Sequence, residues 1–253
     1  MTVVLVHGNP ETAALWDPLV AALGERGVSD VVRLSPPGFG APVPAGFDAT
    51  VDGYRDWLLA ELEGLDGPID LVGHDWGGGH VGTALMERPE LVRSWTSDIL
   101  AVFEPDYVWH DLAQAWQTPD VGEQHIAGML GGTAQEKAER LSAFGITREV
   151  ALEMASGQDE TMQACVLRLY RDAAQPAMAR RGEALERLAA RPGLAIIATE
   201  DHFVGDQAMR YRAAARAGAE VAALEGLGHW WMVEDPARGA EVLTGFWNGL
   251  AGR

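Results

Sequence analysis

The stretch Gly73-His74-Asp75-Trp76-Gly77-Gly78 directly follows the apolar run Ile69–Gly73 and opens a helical pattern. It has the form G-x-Nuc-x-G, in which glycines permit a sharp strand-to-helix turn that lifts the central side chain above a sheet. The central residue is Asp75 in place of the usual serine. An acidic N-cap would explain an isolated aspartate, but the flanking glycines favour a carboxylate nucleophile at a helix N-terminus, which stabilises negative charge.

Outward from this turn, short apolar runs alternate with amphipathic stretches. Buried apolar strands that alternate with helices indicate a parallel sheet covered on both faces. We therefore expect an α/β fold with about six parallel strands flanked by helices. The predicted strands are Val3–His7, Val31–Leu34, Ile69–Gly73, Arg93–Ser97, Leu194–Thr199 and Glu220–Leu224.

The alternation is interrupted once. Residues 103–182 show helical periodicity without a convincing strand. This predicts a helical cap inserted at 103–182 into a core formed by residues 1–102 and 183–253.

Partners for a nucleophile follow Asp75 in the order acid, then base. Asp201 comes at the end of the fifth predicted strand, and Gly228-His229 follows the last one. Asp201 is thus expected to orient His229, which would act as the base. His7-Gly8-Asn9-Pro10 follows the first strand, where a loop commonly supplies one backbone N–H of an oxyanion hole. We expect Asn9 and Trp76 to provide the two donors.

Several other side chains compete for these roles or have simpler interpretations. Glu200 and Asp98 are rivals for the acid, because each also lies near a strand end. His202 adjoins the acid but precedes the final strand, which disfavours it as the base. His7 and His74 lie at strand ends and are expected to contact the backbone.

Composition narrows the function classes further. The chain has 253 residues, 47% of them hydrophobic, and a net charge of −18 from 37 acidic and 19 basic side chains. This charge disfavours nucleic acid, anionic membranes and polyanionic substrates. The single cysteine, Cys165, and the lack of a recognisable signal or membrane-spanning segment favour a cytoplasmic protein.

Together, HGNP, GHDWGG, a late aspartate and a late GHWW resemble the epoxide hydrolase and haloalkane dehalogenase branch of the α/β-hydrolases. The resemblance covers nearly the whole chain. Members of that branch usually have two further N-terminal strands, so we expect about six strands here instead of eight. The resemblance implies hydrolysis through a covalent alkyl-enzyme ester on Asp75.

The two chemistries of this branch differ in how the leaving group is stabilised. Epoxide hydrolases use cap tyrosines as proton donors, and Tyr170-Arg171 and Tyr107 are the candidates here. Dehalogenases resemble this chain in pairing Asn9 with Trp76, whereas Tyr170-Arg171 and Pro10-Glu11 favour epoxide opening. We expect an epoxide hydrolase that produces diols, with haloalkane dehalogenase as the alternative. A non-catalytic binding protein of the same fold is a third hypothesis.

Neither the histidine spacing nor the glycine pattern matches a metal or dinucleotide motif, so no cofactor is expected. The substrate is expected to be small, neutral and apolar, in a monomer or homodimer. Tryptophan and phenylalanine side chains near the predicted cap and the base suggest an aromatic pocket, although core packing explains each of them individually. These aromatic residues are Trp109, Trp116, Phe144, Trp230 and Trp231.

Overall fold

A computed structural model, which describes residues 1–251, has one parallel sheet in the order β2-β1-β3-β4-β5-β6. The expected α/β fold with six parallel strands is confirmed, and the strand ends differ from the predicted ones by one residue in several places. The strands are β1 (Thr2–Val6), β2 (Val31–Leu34), β3 (Ile69–Gly73), β4 (Ser94–Ser97), β5 (Gly193–Ala198) and β6 (Glu220–Leu224).

Helices cover both faces of the sheet, because alternate side chains of the strands point in opposite directions. Val4 and Val6 of β1 belong to one hydrophobic core, and Val3 and Leu5 belong to the other. The helices are α1 (Asp17–Glu25), α2 (Val51–Glu63), α3 (Trp76–Glu87), α4 (Asp111–Gln117), α5 (Val121–Leu130), α6 (Ala134–Ser142), α7 (Arg148–Gly157), α8 (Glu160–Asp172), α9 (Ala177–Arg181), α10 (Gln207–Arg216), α11 (Trp231–Glu234) and α12 (Pro236–Ala251). None of these is long and apolar enough to cross a membrane.

Helices α4 to α9 lie between β4 and β5, in what we call the helical segment (residues 104–192). Its helices divide between the two cores: α4, α5 and α8 pack together, whereas α6 and α7 pack on each other and against the 3-10 helix Ala13–Trp16. Local sequence fixes where these helices begin. Thr133 and Glu136 form a reciprocal capping box at the start of α6, and Asp159 caps α8. The segment therefore meets the core next to the loop that follows β1.

The carboxyl ends of β1, β3, β4 and β5 meet at one edge of the sheet, as they do in any parallel sheet. β3 lies inside the sheet, and its five residues are all buried. The residue after β3, Asp75, therefore stands at the centre of this edge, with the loops after β1, β4 and β5 around it.

Candidate active site

Asp75 lies in a strained turn between β3 and α3, with φ 48° and ψ −130°. A side chain at this φ is uncommon, and strain of this kind persists only where its surroundings hold it in place. Two glycines allow the turn: a Cβ on Gly77 would collide with the Val6 carbonyl, and one on Gly73 would lie 2.6 Å from the Cα of Gly78. The backbone N–H of Asp75 donates to Asp98 Oδ1 at 2.9 Å. The glycines of the motif thus serve the geometry for which the sequence suggested them.

The Asp75 carboxylate has two distinct oxygens in this structure. Oδ1 accepts the backbone N–H of Asn9 at 2.9 Å, and Oδ2 faces His229 Nε2 at 3.8 Å. Gly8 permits this approach, because a Cβ there would collide with the Asp75 carboxylate. Burial raises the pKa of Asp75 to about 6, although the charge of His229 opposes the rise.

His229 and Asp201 come together as the chain order suggested. His229 Nδ1 lies 2.9 Å from Asp201 Oδ2, while Asp201 Oδ1 accepts the Phe203 backbone N–H at 2.8 Å. Burial would lower the pKa of His229, but Asp201 raises it above its usual value. Burial would likewise raise the pKa of Asp201, yet the contact with His229 lowers it to about 2. A fixed carboxylate on Nδ1 leaves Nε2 directed at Asp75.

The rivals for acid and base lie elsewhere. Asp98 contacts His74, not His229, and the side chains of Glu200 and His202 are exposed. Neither rival acid forms a hydrogen bond or ion pair with His229 among the described residues. The geometry therefore assigns the contact with His229 Nδ1 to Asp201.

A second histidine–carboxylate pair lies behind Asp75, and the sequence did not indicate it. His74 Nδ1 is 2.6 Å from Asp98 Oδ2, and its Nε2 is 3.3 Å from Glu11 Oε1. The expectation that His74 contacts only the backbone is wrong. Burial alone would lower the pKa of His74, but Asp98 and Glu11 raise it well above the usual value, so the ring is an imidazolium. The same two neighbours could not have been inferred from spacing, because they follow β4 and β1.

Two tryptophans donate hydrogen bonds to the carboxylates that contact His74. Trp231 Nε1 donates to Asp98 Oδ2 at 2.9 Å, and Trp230 Nε1 donates to Glu11 Oε1 at 2.7 Å. Glu11 Oε2 also accepts the Gly8 backbone N–H at 2.9 Å. The loop after β1 is thus tied both to the second pair and to the loop that carries His229.

Glu11, His74 and His229 bring one potential ligand atom each within 4.8 Å of one another, the one such group in the described part of the chain. Glu11 raises the pKa of His74, as expected for an ion pair between its carboxylate and the imidazolium. We therefore interpret this group as an ion pair beside His229.

A cavity of about 80 Å³ opens above the sheet edge. Asp75 and His229 lie in its wall, together with Asn9, Tyr170 and Trp230 from the predicted set. The carboxylate of Asp75 and the imidazole of His229 therefore face a cavity between the sheet edge and the helical segment.

Trp116 and Phe144 of the expected aromatic pocket also line the cavity, whereas Asp201, Trp76, Tyr107 and Trp109 lie outside the lining. Trp109 stacks on Trp76 with ring centroids 5.8 Å apart, and neither belongs to the lining. The Tyr107 hydroxyl donates to the Phe203 carbonyl at 2.9 Å, so its proton is already in use. Of the two candidate tyrosines, Tyr170 alone lines the cavity.

Tyr170 is held as a neutral phenol. Burial, and then the charge of Asp75, raise its pKa well above the usual value, and a hydrogen bond with the Trp76 side chain opposes that rise. Its ring packs edge to face against Trp76, with the centroids 5.5 Å apart, and the neutral hydroxyl keeps its proton.

The chain matches the model of the alpha/beta hydrolase family over residues 3–242. Among solved structures, it resembles haloalkane dehalogenase DbeA-M1, a loop variant from Bradyrhizobium elkanii, with a TM-score of 0.74, 22% identity, and 99% and 90% of the two chains covered. It also resembles epoxide hydrolase VrEH1 from Vigna radiata, with a TM-score of 0.77, 18% identity, and 98% and 91% covered. At these identities the likeness shows the fold.

Two curated relatives match shorter stretches. A Mycobacterium tuberculosis protein named "Probable oxidoreductase EphD" is 34% identical over 131 residues, which is 46% of this chain and 21% of that protein. The "Cis-3-alkyl-4-alkyloxetan-2-one decarboxylase" of Xanthomonas campestris is 35% identical over 89 residues, 30% of this chain and 28% of that enzyme. The chain thus spans less than a third of the length of either relative in these matches.

Proposed function

The chain belongs to the alpha/beta hydrolase family, and on this basis we propose that it hydrolyses its substrate through an ester on Asp75, with His229 as base and Asp201 as its partner. The observation that carries the proposal is that the two oxygens of the Asp75 carboxylate have different neighbours. One oxygen accepts the Asn9 N–H, and the other faces His229 Nε2 inside the cavity. A carboxylate with these two neighbours can attack an sp³ carbon and later be regenerated.

In the first step, Asp75 Oδ2 attacks the substrate carbon, and the bond from that carbon to the leaving oxygen breaks. The Asn9 N–H holds Oδ1, so the carboxylate reaches the carbon through Oδ2. Because burial raises the pKa of Asp75 to about 6, this carboxylate is more basic than an exposed one and is still ionised at neutral pH.

In the second step, His229 Nε2 takes a proton from water, and the hydroxide adds to Asp75 Cγ. Negative charge develops on Oδ1, where the Asn9 N–H already donates. The bond between Asp75 Cγ and Oδ2 then breaks, Oδ2 leaves as the alkoxide of the product and takes the proton from His229, and the water oxygen stays in the Asp75 carboxyl group. In the epoxide reaction described next, Tyr170 has become a phenolate by protonating the substrate oxygen, and the proton left on the Asp75 carboxyl group returns to it.

We propose an epoxide as the substrate class, because an alkoxide leaving group needs a proton. Tyr170 lines the cavity, and its raised pKa keeps the proton on its hydroxyl. In this proposal residues 103–182 form the cap, and Tyr170 of α8 donates to the epoxide oxygen as the ring opens. Tyr107 does not take part, since its hydroxyl already donates a hydrogen bond to the Phe203 carbonyl.

A haloalkane is the second candidate, and one observation favours it. Both polar atoms of the Asn9 side chain are buried without a partner, and Asn9 lines the cavity. An amide Nδ2 in that position could donate to a departing halide. Epoxide opening remains the preferred reaction because Tyr170 lines the cavity, whereas Trp76, which the resemblance to dehalogenases pairs with Asn9, lies outside the lining.

The test uses His229→Gln, in which the first step proceeds but water is not activated. Exposure to a small epoxide should raise the protein mass by the full mass of the epoxide, and exposure to a bromoalkane should add only the alkyl group. Asp75→Ala is the control and should gain no mass. An unmodified His229→Gln protein with either compound, alongside a wild-type protein that produces no diol or halide, would support the binding-protein hypothesis and refute the proposal.

The leaving group is tested with a matched tyrosine pair. Tyr170→Phe should reduce epoxide turnover by about 10²-fold or more, because it removes the proton donor. Tyr107→Phe removes a hydroxyl of the same kind that lies outside the cavity and should have a much smaller effect on kcat. Equal losses in the two variants, or wild-type halide release without diol formation, would shift the assignment to a dehalogenase.

A further inference from the structure

The wall of the active-site cavity formed by α6 carries two positive charges, Lys137 and Arg140. Lys137 is the single lysine of the chain; the other basic side chains are arginines. Leu141 of the same helix also lines the cavity, and the three lie on one helix face at spacings of three and four residues. Both cations are partly buried, so they belong to the cavity and not to an open surface.

Neutral groups hold both side chains in place. The Lys137 ammonium donates to the Gln158 carbonyl, and the Arg140 guanidinium donates to the carbonyls of Met129 (3.0 Å) and Gly131. Within residues 1–251 neither cation forms an ion pair with a carboxylate. An ammonium has three N–H donors and a guanidinium five, so each keeps donors for a further partner.

The two acids of the same helix form no ion pair with them. Glu136 feels the charge of Arg140, but its carboxylate accepts from the backbone N–H and the hydroxyl of Thr133 at the helix cap, at 2.8 and 2.9 Å. Glu139 Oε1 accepts from Gln135 Nε2 at 3.0 Å. Asp75 is the one carboxylate among the lining residues, and it is the proposed nucleophile. The chain has a net charge of −18, but the lysine, arginine and aspartate side chains that line this cavity carry two positive charges and one negative charge.

Gln158 connects the cations to the reaction centre. Its carbonyl accepts from Lys137, and its side-chain Nε2 donates to the Pro10 carbonyl at 3.0 Å, next to Asn9. Apolar side chains, among them Trp116 and Leu130, line the same cavity. The lining of the cavity thus combines the proposed nucleophile and base, apolar side chains and two cations.

We propose that the substrate is an epoxide that carries a carboxylate at the end away from the reacting carbon, and that Lys137 and Arg140 bind this carboxylate. The inference rests on the proposed function, since it names the substrate class of the same site. It replaces the neutral substrate expected from the sequence with an amphipathic one. Charged hydrogen bonds of this kind are stronger than neutral ones, and they would orient the chain of the substrate with its epoxide towards Asp75.

The experiment compares terminal-epoxy carboxylic acids with their primary amides over a series of chain lengths. The wild type should prefer the acid in kcat/KM, mainly through a lower KM, with the preference largest at one chain length. In Lys137→Gln the acid-to-amide ratio should fall about tenfold, as expected for the loss of one charge-assisted hydrogen bond. Lys137→Arg should retain most of the preference. Arg148→Gln, which removes an exposed positive charge of α7 outside the lining, is the matched control and should leave the ratio unchanged.

A second measurement does not depend on turnover. Calorimetric binding of the saturated carboxylic acid of the preferred length should weaken about tenfold in Lys137→Gln and should persist in Asp75→Ala. An acid-to-amide ratio near unity in the wild type, or an equal fall of the ratio in Arg148→Gln, would overturn the inference while diol formation still supports the proposed function. Acid binding that depends on Lys137, without any ester on Asp75, would instead refute the proposed function and leave the cationic site standing.

Discussion

Two histidine–carboxylate pairs lie side by side behind Asp75, with the rings of His74 and His229 4.6 Å apart. In each pair Nδ1 faces an aspartate, at 2.9 Å in His229–Asp201 and at 2.6 Å in His74–Asp98. The pairs differ at Nε2. In His229 it faces the Asp75 carboxylate across 3.8 Å and lines the cavity, whereas in His74 it faces Glu11 in the interior.

This difference shows what separates a base from a structural cation. A base must give up and take back a proton, so one nitrogen has to face substrate or water. His74 has carboxylates at both nitrogens and no exposure, and its raised pKa keeps it charged. His74 contacts the carboxylate of Asp98, and the same carboxylate accepts the backbone N–H of Asp75 at 2.9 Å. In the proposed mechanism His229 is therefore the base and His74 is a positioning residue.

The largest expected effect separates the two aspartates. In Asp201→Asn the amide no longer stabilises an imidazolium or fixes the required tautomer, so kcat should fall by up to about 10⁴-fold. Since ester formation precedes the need for a base, the alkyl-enzyme should accumulate and be visible by mass spectrometry. Asp98→Asn is the matched variant: it should lower stability without accumulating the ester, because its amide N–H₂ would face the donors of His74 and Trp231. An ester that accumulates in Asp98→Asn but not in Asp201→Asn would reverse the two roles.

The next effect concerns stability. His74→Gln leaves the buried carboxylates of Asp98 and Glu11 without their counter-charge, which should cost about 3–5 kcal/mol of unfolding free energy in urea titrations. Adding Glu11→Gln removes one unpaired charge and should restore part of the loss.

The sign of the pH dependence follows from the raised pKa of His74. Its contribution to stability is fully present below the unfolded value of 6.5 and is lost as pH rises through the higher folded value. The gap between wild type and His74→Gln should therefore be widest below pH 6.5 and narrow at alkaline pH. A gap that is independent of pH would mean that His74 acts by packing alone, as in its edge contact with Trp16.

Sequence patterns predicted the sheet and the elbow because their determinants are local. Buried β-branched runs specify the strands, Gly73 is required by the backbone of Gly77 and Gly78 in the same turn, and Gly77 is required by the Val6 backbone of the neighbouring strand. Asp201 and His229 could be proposed from their places after β5 and β6, since the ends of parallel strands share one edge. Their catalytic roles are still a prediction.

Other features depend on contacts between distant segments, which spacing does not encode. The interior partners of His74 come from the loops after β1 and β4, so residue spacing does not predict this ion pair. Both Tyr170, in the pair Tyr170-Arg171, and Tyr107 were candidate proton donors, yet Tyr107 donates to Phe203 and Tyr170 lines the cavity. Lys137 stood in an ordinary amphipathic helix, and only the packing of α6 brings it to the reaction centre.

The smallest expected effect is a shift in pH dependence that sharpens the comparison. Ester formation needs ionised Asp75, so in the wild type its rate should fall about tenfold per pH unit below about 6. His229 and His74 lower the pKa of Asp75, whereas Glu11 raises it. In His229→Gln the rate of mass increase should therefore begin to fall at a pH above 6. Adding His74→Gln should move the start of this fall to a still higher pH. Adding Glu11→Gln instead should move it lower, because it removes a negative charge beside the nucleophile. If the His74 and Glu11 changes move this pH in the same direction, His74 and Glu11 act on Asp75 through geometry and not through charge.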